Sequence, residues 1–422
     1  MNKNLKPGWS YKKLDELGFV GRGKSKHRPR NDPSLYGGKY PFIQTGEVKS
    51  ADLYISKYSQ TYNNKGLAQS KLWEPGTLLI TIAANIADTA ILKITACFPD
   101  SIVGFVADPD KADVHFIKYY IDTIKLHMQN ISRGTTQDNL SIEKIQSFDF
   151  LIPPLPTQRK IAAILSAYDD LIENNTRRIE ILEEMARSLY REWFVKFRFP
   201  GHEQVRMVDS ELGPVPEGWE VKKLAALVET QYGYTESASK NKVGPKYVRG
   251  MDINKTSYIQ WDSVPYCPIN DTDYAKYRLK AGDVLVIRMA DPGKVGIVEN
   301  QIDAVFASYL IRLKITSSKL SPYLLFYFLL SECYQNYVTG ACTGTTRKSA
   351  SAGVLTDINL VIPIDDIRQK FEEQISVIRR MLNKLLEKNA NLRKTRDLLL
   401  PRLISGEIDV ENLDIKTGEI AA

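Results

Sequence analysis

The sequence predicts a mixed α+β protein: two globular domains joined by two long antiparallel coiled-coil helices, with a pseudo-twofold internal repeat. Three observations predict it. A length of 422 residues exceeds what one hydrophobic core usually organises. The chain repeats itself at an offset of 210 residues, and each repeat ends in a long heptad run.

The repeat is anchored at three places. Pro7-Gly8-Trp9-Ser10-Tyr11-Lys12-Lys13-Leu14 recurs as Pro216-Glu217-Gly218-Trp219-Glu220-Val221-Lys222-Lys223-Leu224. At the same spacing Gly134-Thr135-Thr136-Gln137 matches Gly344-Thr345-Thr346-Arg347, and Ile152-Pro153 matches Ile362-Pro363. Between these anchors the offset drifts, as where Pro75-Gly76-Thr77-Leu78-Leu79-Ile80 resembles Ala281-Gly282-Asp283-Val284-Leu285-Val286. Short apolar runs broken by Gly and Pro, Leu78 to Ile82 and Val284 to Ile287, read as strands, and Tyr323 to Leu330 reads as a helix. Each copy is therefore an α and β globule.

After Pro153-Pro154-Leu155-Pro156, seam-compatible residues step by four and three: Ile161, Leu165, Tyr168, Ile172, Asn175, Ile179, Leu182, Ala186, Leu189 and Trp193. The second copy keeps the register with Phe371, Ile375, Ile378, Leu382, Leu385, Asn389, Leu392, Arg396, Leu399 and Leu403. The connection from Phe199 to Pro214 reaches about 54 Å at most, too short to retrace a helix of about 60 Å comfortably, so the pair is expected to be antiparallel. With Ile161 opposite Leu403, partner numbers add to 564. Asn175 then faces Asn389, and Tyr168 faces Arg396 with its guanidinium expected over the ring. The predicted divisions are domain 1 over residues 1–157, a helix over 158–199, a linker over 200–213, domain 2 over 214–366, a second helix over 367–404 and a tail over 405–422.

Composition narrows the function. Hydrophobic residues make up 43% and charged residues 25%, and no apolar run is long enough to cross a bilayer, so no membrane association is expected. The N-terminal residues lack the apolar stretch of a secretory signal, which implies a cytoplasmic protein. Cys97, Cys267, Cys333 and Cys342 are scattered without a Cys-x-x-Cys pair, against a zinc site or a disulfide framework. The net charge of +7 leans toward an anionic partner.

Catalytic constellations are missing. Ile152-Pro153-Pro154-Leu155 has the prolines of an amino-methyltransferase motif without the Asn, Asp or Ser that would precede them. Neither Pro99-Asp100 nor Pro109-Asp110 is followed by a nuclease Asp/Glu-x-Lys, and His27, His115, His127 and His202 show no ligand spacing. No catalytic residue and no metal ligand is assigned. Gly18, Gly23, Lys24 and Ser25 satisfy a P-loop pattern, but the flanking residues do not read as strand and helix, since Pro29 and Pro33 fall where the helix should run.

The binding chemistry lies in basic loops. Lys24, Lys26, Arg28 and Arg30 crowd a Gly- and Pro-broken stretch suited to phosphates and base edges. The second copy has instead Tyr232 in Gln231-Tyr232-Gly233-Tyr234-Thr235, with Lys240, Lys242, Arg249, Arg288 and Lys348 more scattered.

Leu189-Tyr190-Arg191-Glu192-Trp193-Phe194, Gly213-Pro214-Val215-Pro216-Glu217-Gly218-Trp219 and Leu399-Leu400-Pro401-Arg402-Leu403-Ile404-Ser405-Gly406-Glu407-Ile408 together resemble the central and distal regions of the specificity subunits of type I restriction-modification systems. The resemblance covers nearly the whole chain. It implies a non-catalytic, DNA-binding subunit whose two target-recognition domains each read half of a bipartite, gapped site in double-stranded DNA. It also implies helices that dock two methyltransferase subunits, with restriction subunits joining them. S-adenosylmethionine, and ATP with Mg, are then expected on those partners and no cofactor on this chain. The resemblance places DNA contacts at Lys24 to Arg30, Thr45, Glu47, Arg133, Thr135, Thr136 and Gln137, and in the second domain at Arg249, Asp252, Thr345, Thr346, Arg347 and Lys348. Two alternatives stand beside it: a stand-alone DNA-binding regulator, and a nucleotide-hydrolysing enzyme using Gly18 to Ser25.

Overall fold

Leu78–Thr81 and Val284–Ile287 are apolar runs buried along their whole length, as strands covered on both faces must be. In the computed structural model, which describes residues 5–83, 85–133, 140–342 and 348–417, each lies inside its own sheet. The chain divides into two units. The first comprises Met1–Asn175 with Asn389–Ala422, the second Thr176–Lys388. Division by compactness thus interleaves what the sequence lays out in order, and the boundaries fall inside the two long helices.

In the first unit Ser10–Lys12 pairs antiparallel with Phe150–Ile152. A five-stranded sheet runs in the order Gly18–Arg22, Ile102–Ala107, Leu78–Thr81, Thr89–Leu92, Tyr54–Ile55. A second sheet is built from Gln60–Tyr62, Tyr36–Phe42, Ala96–Cys97 and Leu72–Trp73. The helix Val114–Arg133 starts where the Asp113 carboxylate accepts from the His115 and Phe116 amides, both at 3.0 Å, and it buries Phe116, Ile117, Ile121 and Met128 in the core.

The second unit repeats this plan. Glu220–Lys223 pairs with Asn359–Ile362, and Val228–Tyr232, Leu310–Ile315, Val284–Ile287 and Val295–Ile297 form the sheet in matching order. In both units a strand after the first sheet strand pairs parallel with a later one, Tyr36–Phe42 with Ala96–Cys97 and Lys246–Val248 with Ala304–Phe306. The offset is 210 residues at Gly18 and Val228, 206 at Leu78 and Val284, 208 at Ile102 and Leu310, and 210 again at Ile152 and Ile362. Insertions and deletions inside the domain thus cancel before the helices begin. The helix Val114–Arg133 corresponds to two, Pro322–Leu330 and Glu332–Ala341, because Ser331 leaves the helical conformation (ψ 153°) and its side chain caps the second.

The long helices are Leu155–Tyr190, extended by a π-helical turn Arg191–Val195, and Asp365–Ile404. The first begins three residues before the predicted 158, since Pro156 in the first turn lacks only an amide hydrogen that has no helical acceptor there. It stops short of 199, where Phe197 adopts φ 56°. The connection predicted as a linker is folded: Met207–Val208 pairs antiparallel with Val215–Pro216.

The seam register is visible within each unit. In the first, Ile161 and Leu165 share a core with Leu399 and Leu403, and Nδ2 of Asn175 donates to Oδ1 of Asn389 at 2.9 Å. In the second, Ile179 and Leu182 cluster with Leu382 and Leu385, and the rings of Trp193 and Phe371 lie 6.1 Å apart. One expected layer is corrected. The Arg396 guanidinium does not lie over Tyr168 but bonds to buried Asp169, whose other oxygen accepts from the Tyr119 hydroxyl. A carboxylate one residue off the seam attracts a cation more strongly than a ring face does.

Both Gly-Trp openings dock on helix ends. Trp9 packs against Gly406, where φ is +73° and an added Cβ would lie 2.9 Å from the indole. Trp219 stacks on Phe199 with centroids 5.0 Å apart.

All four cysteines are free. Burial raises the Cys97 thiol and pushes Cys267 up to about 11, while Cys333 is exposed. Thiol labelling of native protein at pH 8 is therefore expected to modify Cys333 first and to reach Cys97 and Cys267 only on unfolding. Labelling of Cys267 at the rate of Cys333 would contradict the packing.

Candidate nucleic-acid interface

One end of each main sheet carries part of the predicted binding residues. Strand Ile102–Ala107 lies antiparallel to both Gly18–Arg22 and Leu78–Thr81, so those two run parallel and leave the sheet on the same side. Arg22, Val103 and Ile80 form the last row. Beyond it come the basic loop through Arg30 and the turn that holds Ala87. The Leu140 amide donates to the Ile82 carbonyl at 2.9 Å, fixing the chain just after residues 134–139 at this end. In the second unit Tyr232, Ile311 and Val286 form the corresponding row. The Ala350 amide donates to the Arg288 carbonyl at 2.9 Å and the Ala290 amide to the Lys348 carbonyl at 3.0 Å. Both turns hold an alanine in the left-handed region, Ala87 (φ 61°) and Ala290 (φ 72°), a conformation side chains rarely adopt.

The first unit's basic loop is held by its backbone. The Gly23 amide donates to Ile102 O at 2.9 Å, Lys24 N to Phe98 O at 3.0 Å, and Ser70 Oγ to Lys24 O at 2.7 Å. Gly23 has no room for a side chain, because a Cβ would sit 2.3 Å from Pro99 O. Three arginines converge on Asp100: Arg22 Nε donates to its carbonyl (2.6 Å), Arg30 to its carboxylate (2.6 Å), and Arg28 lies 3.7 Å away. Arg28 also donates to the carbonyls of Ser25 and His27, at 2.7 and 2.8 Å. His27 bonds to Asp32 at 2.7 Å, and the Ser34 backbone amide, then the Ser34 side chain, hold the Asp32 carboxyl down at about 2. The Asp100 pairs are solvent-exposed and so individually weak, which lets a phosphate or base edge replace the carboxylate. Lys26 is exposed and Lys24 half-buried, and among the described residues neither ammonium meets a carboxylate within 4.0 Å.

This geometry removes the P-loop reading. Gly18–Arg22 is a strand rather than a phosphate-cradling loop, no helix starts at Ser25, and the Ser25 hydroxyl is buried 3.4 Å from that of Tyr62. Among the described residues no group of three His, Cys, Asp or Glu side chains could hold a metal ion, and no helix is long and apolar enough to cross a membrane.

In the second unit the Arg288 guanidinium lies 4.9 Å from the Tyr232 ring centroid, and the Tyr232 hydroxyl accepts from the Ala352 amide at 3.2 Å. Tyr232, Arg288 and the exposed Lys348 segment are thereby brought together. Lys240 and Lys242 are exposed beside the bridge between Ser239 and Tyr266.

Glu47, Arg249 and Asp252 bond within their own turns, and Thr45 opens the helix of the first. Glu47 accepts from Gln44 N (2.9 Å) and from Ser59 N (3.2 Å), capping the helix Thr45–Ser50. Asp252 accepts from Arg249 N (2.8 Å) and from its guanidinium at 3.0 and 2.9 Å, in the matching turn. Both carboxylates are thus engaged by their own turns in the free chain. Thr135, Thr136, Gln137, Thr345, Thr346 and Arg347 lie outside the described residues, as does the Arg133 side chain at the end of its helix. Arg22 belongs to the same basic stretch in the sequence but was not assigned as a contact. Applying the 210-residue offset to Tyr232 singles it out, because both close the last row of their sheets.

The family of the type I restriction modification DNA specificity domain matches residues 6–184 and 216–392, once per repeat. The specificity subunit of the type I restriction enzyme MjaIX from Methanocaldococcus jannaschii is 27% identical over 430 residues, covering 96% of this chain and 94% of that protein. The MjaVIII specificity subunit of the same organism is 24% identical, over 89% of this chain and 88% of its own length. The fold is that of the S subunit of a type I restriction-modification system from M. genitalium, with TM-score 0.56 at 14% identity over 96% of this chain and 98% of that one. Two tandem family matches on two copies of one sheet plan have a single reading: the chain belongs to the type I restriction-modification DNA specificity family.

Proposed function

We propose that this chain is the non-catalytic specificity subunit of a cytoplasmic type I complex, in which each domain reads one half of a bipartite, gapped target in double-stranded DNA. The observation that carries the reading is the twice-built sheet end. It presents arginines and lysines in the first unit, and Tyr232, Arg288 and Lys348 in the second, where a duplex would supply phosphates and base edges. Different side chains on matching ends suit two unlike half-sites. Two methyltransferase subunits dock on the long helices. That docking is supported by apolar side chains left outward in the second unit, Ile181, Met185, Val377 and Met381, each about half exposed. S-adenosylmethionine, and ATP with Mg, belong to the methyltransferase and restriction subunits.

The chain alone is expected to show neither methyl transfer nor ATP hydrolysis. Co-expressed with methyltransferase subunits, it is expected to direct adenine methylation to one gapped, asymmetric sequence, read by mapping modified bases across a genome. Methyl transfer by the purified chain would sink the proposal. Tight sequence-specific binding by the chain alone would favour a stand-alone regulator.

A further inference from the structure

The polar residues in the helix seam are not symmetric, although the helices that carry them are repeats. In the first unit Asn175 bonds to Asn389, whose Nδ2 also donates to the Ile172 carbonyl at 3.3 Å. The repeat offset converts Asn175 to Leu385 and Asn389 to Ile179, and in the second unit those two residues meet in an apolar cluster. The ion pair is equally one-sided. Asp169, fully buried, holds Arg396, whereas the corresponding positions in the second unit are Arg379 and Ala186. Arg379 takes its carboxylate from Glu299 instead.

We infer that this seam is coded for unlike halves, so that the first-repeat helix accepts the second-repeat helix and rejects a second copy of itself. Pairing two first halves sets Asn175 against Ile179 twice and Asp169 against Ala186 twice. Among the described residues the buried carboxylate then keeps only the Tyr119 hydroxyl. Pairing two second halves sets Asn389 against Leu385 twice and Arg396 against Arg379 twice. Only the mixed pair gives each amide an amide and each buried charge its opposite. The inference rests on the seam and is independent of what the domains bind.

The test begins in the uncut chain, where each mismatched layer can be built singly. Asn175→Leu recreates the Leu and Asn layer of two second halves, Asn389→Ile the Asn and Ile layer of two first halves, and Arg396→Ala the uncompensated Asp169. Each is expected to lower the thermal midpoint by about 2–10 °C, while Asn175→Leu with Asn389→Ile recovers most of the loss. Unmoved midpoints in both single Asn variants overturn the inference.

Preference is then read directly. A chain with a protease site placed beside exposed Leu212 is cut, unfolded and refolded, and the pairing of its halves is counted by native mass spectrometry. Mixed pairs are expected to exceed like pairs by at least about tenfold. Like pairs are expected to appear when Asn175→Leu, Asn389→Ile, Asp169→Ala and Arg396→Ala are combined. A statistical mixture of halves from the unsubstituted chain overturns the inference, and should the halves not reassociate, the uncut midpoints decide.

Discussion

Replacing Arg379 by Leu is expected to destabilise the protein by about 3–5 kcal/mol, the usual cost of breaking a buried ion pair from one side. Arg379 has no exposed surface, yet each of its three guanidinium nitrogens finds an acceptor. Nε and Nη2 donate to the two oxygens of Glu299 at 2.8 and 2.6 Å, and Nη1 and Nη2 donate to the hydroxyl and carbonyl of Ser257, each at 3.0 Å. Glu299, its side chain only 8% exposed, accepts further only from the Tyr323 hydroxyl among the described residues. Without the arginine its charge is left in a medium that does not solvate it. Arg379→Lys keeps the charge but loses the planar fork, so a smaller loss is expected. Arg379→Leu combined with Glu299→Leu should recover much of the stability, because no lone charge then remains. Urea unfolding of the three variants measures this, and a loss under about 1 kcal/mol in Arg379→Leu would mean that water reaches Glu299.

The largest effect on function is expected to be one-sided. Arg288→Ala should weaken discrimination at one half of the target by about 5- to 150-fold, the range for one bidentate base contact, and leave the other half unchanged. Arg28→Ala should do the reverse. Arg288 is ordered by the Tyr232 ring, and no carboxylate pairs with it among the described residues, so its donors are not already taken up by an acid. Arg28 is ordered by two carbonyls of its own loop and lies 3.7 Å from Asp100. The two residues belong to different units. Binding of the assembled complex to duplexes altered in one half at a time separates the contributions, and equal losses at both halves would rule out independent readers.

What could be read from sequence was what obeys a period or an offset. Heptad spacing located both helices and aligned Asn175 with Asn389. The 210-residue offset paired strands whose residues differ, as with Gly18–Arg22 and Val228–Tyr232. Chemistry decided by a neighbour distant in sequence was not legible. Arg30 looks like any loop cation until the fold brings Asp100, 70 residues on, within 2.6 Å of it. Arg396 was aligned with Tyr168 because the seam counts one facing residue per layer, whereas a guanidinium on a long stem reaches the flanking Asp169. The interleaving of the two units follows from the antiparallel register, which sets Ile161 opposite Leu403, but no period showed that Val410, beyond the helix, joins the same core.

That interleaving bears on how the molecule is made. Residues 176–388 form one unit from a single uninterrupted stretch, so its parts are all present while later residues are still being synthesised. The other unit lacks Leu403, Ile404 and Val410, which pack with Leu14, Phe150 and Ile161, until the last turns of the second helix emerge. The domain translated first is therefore completed last, and its Trp9 waits nearly the length of the chain for the glycine against which it packs.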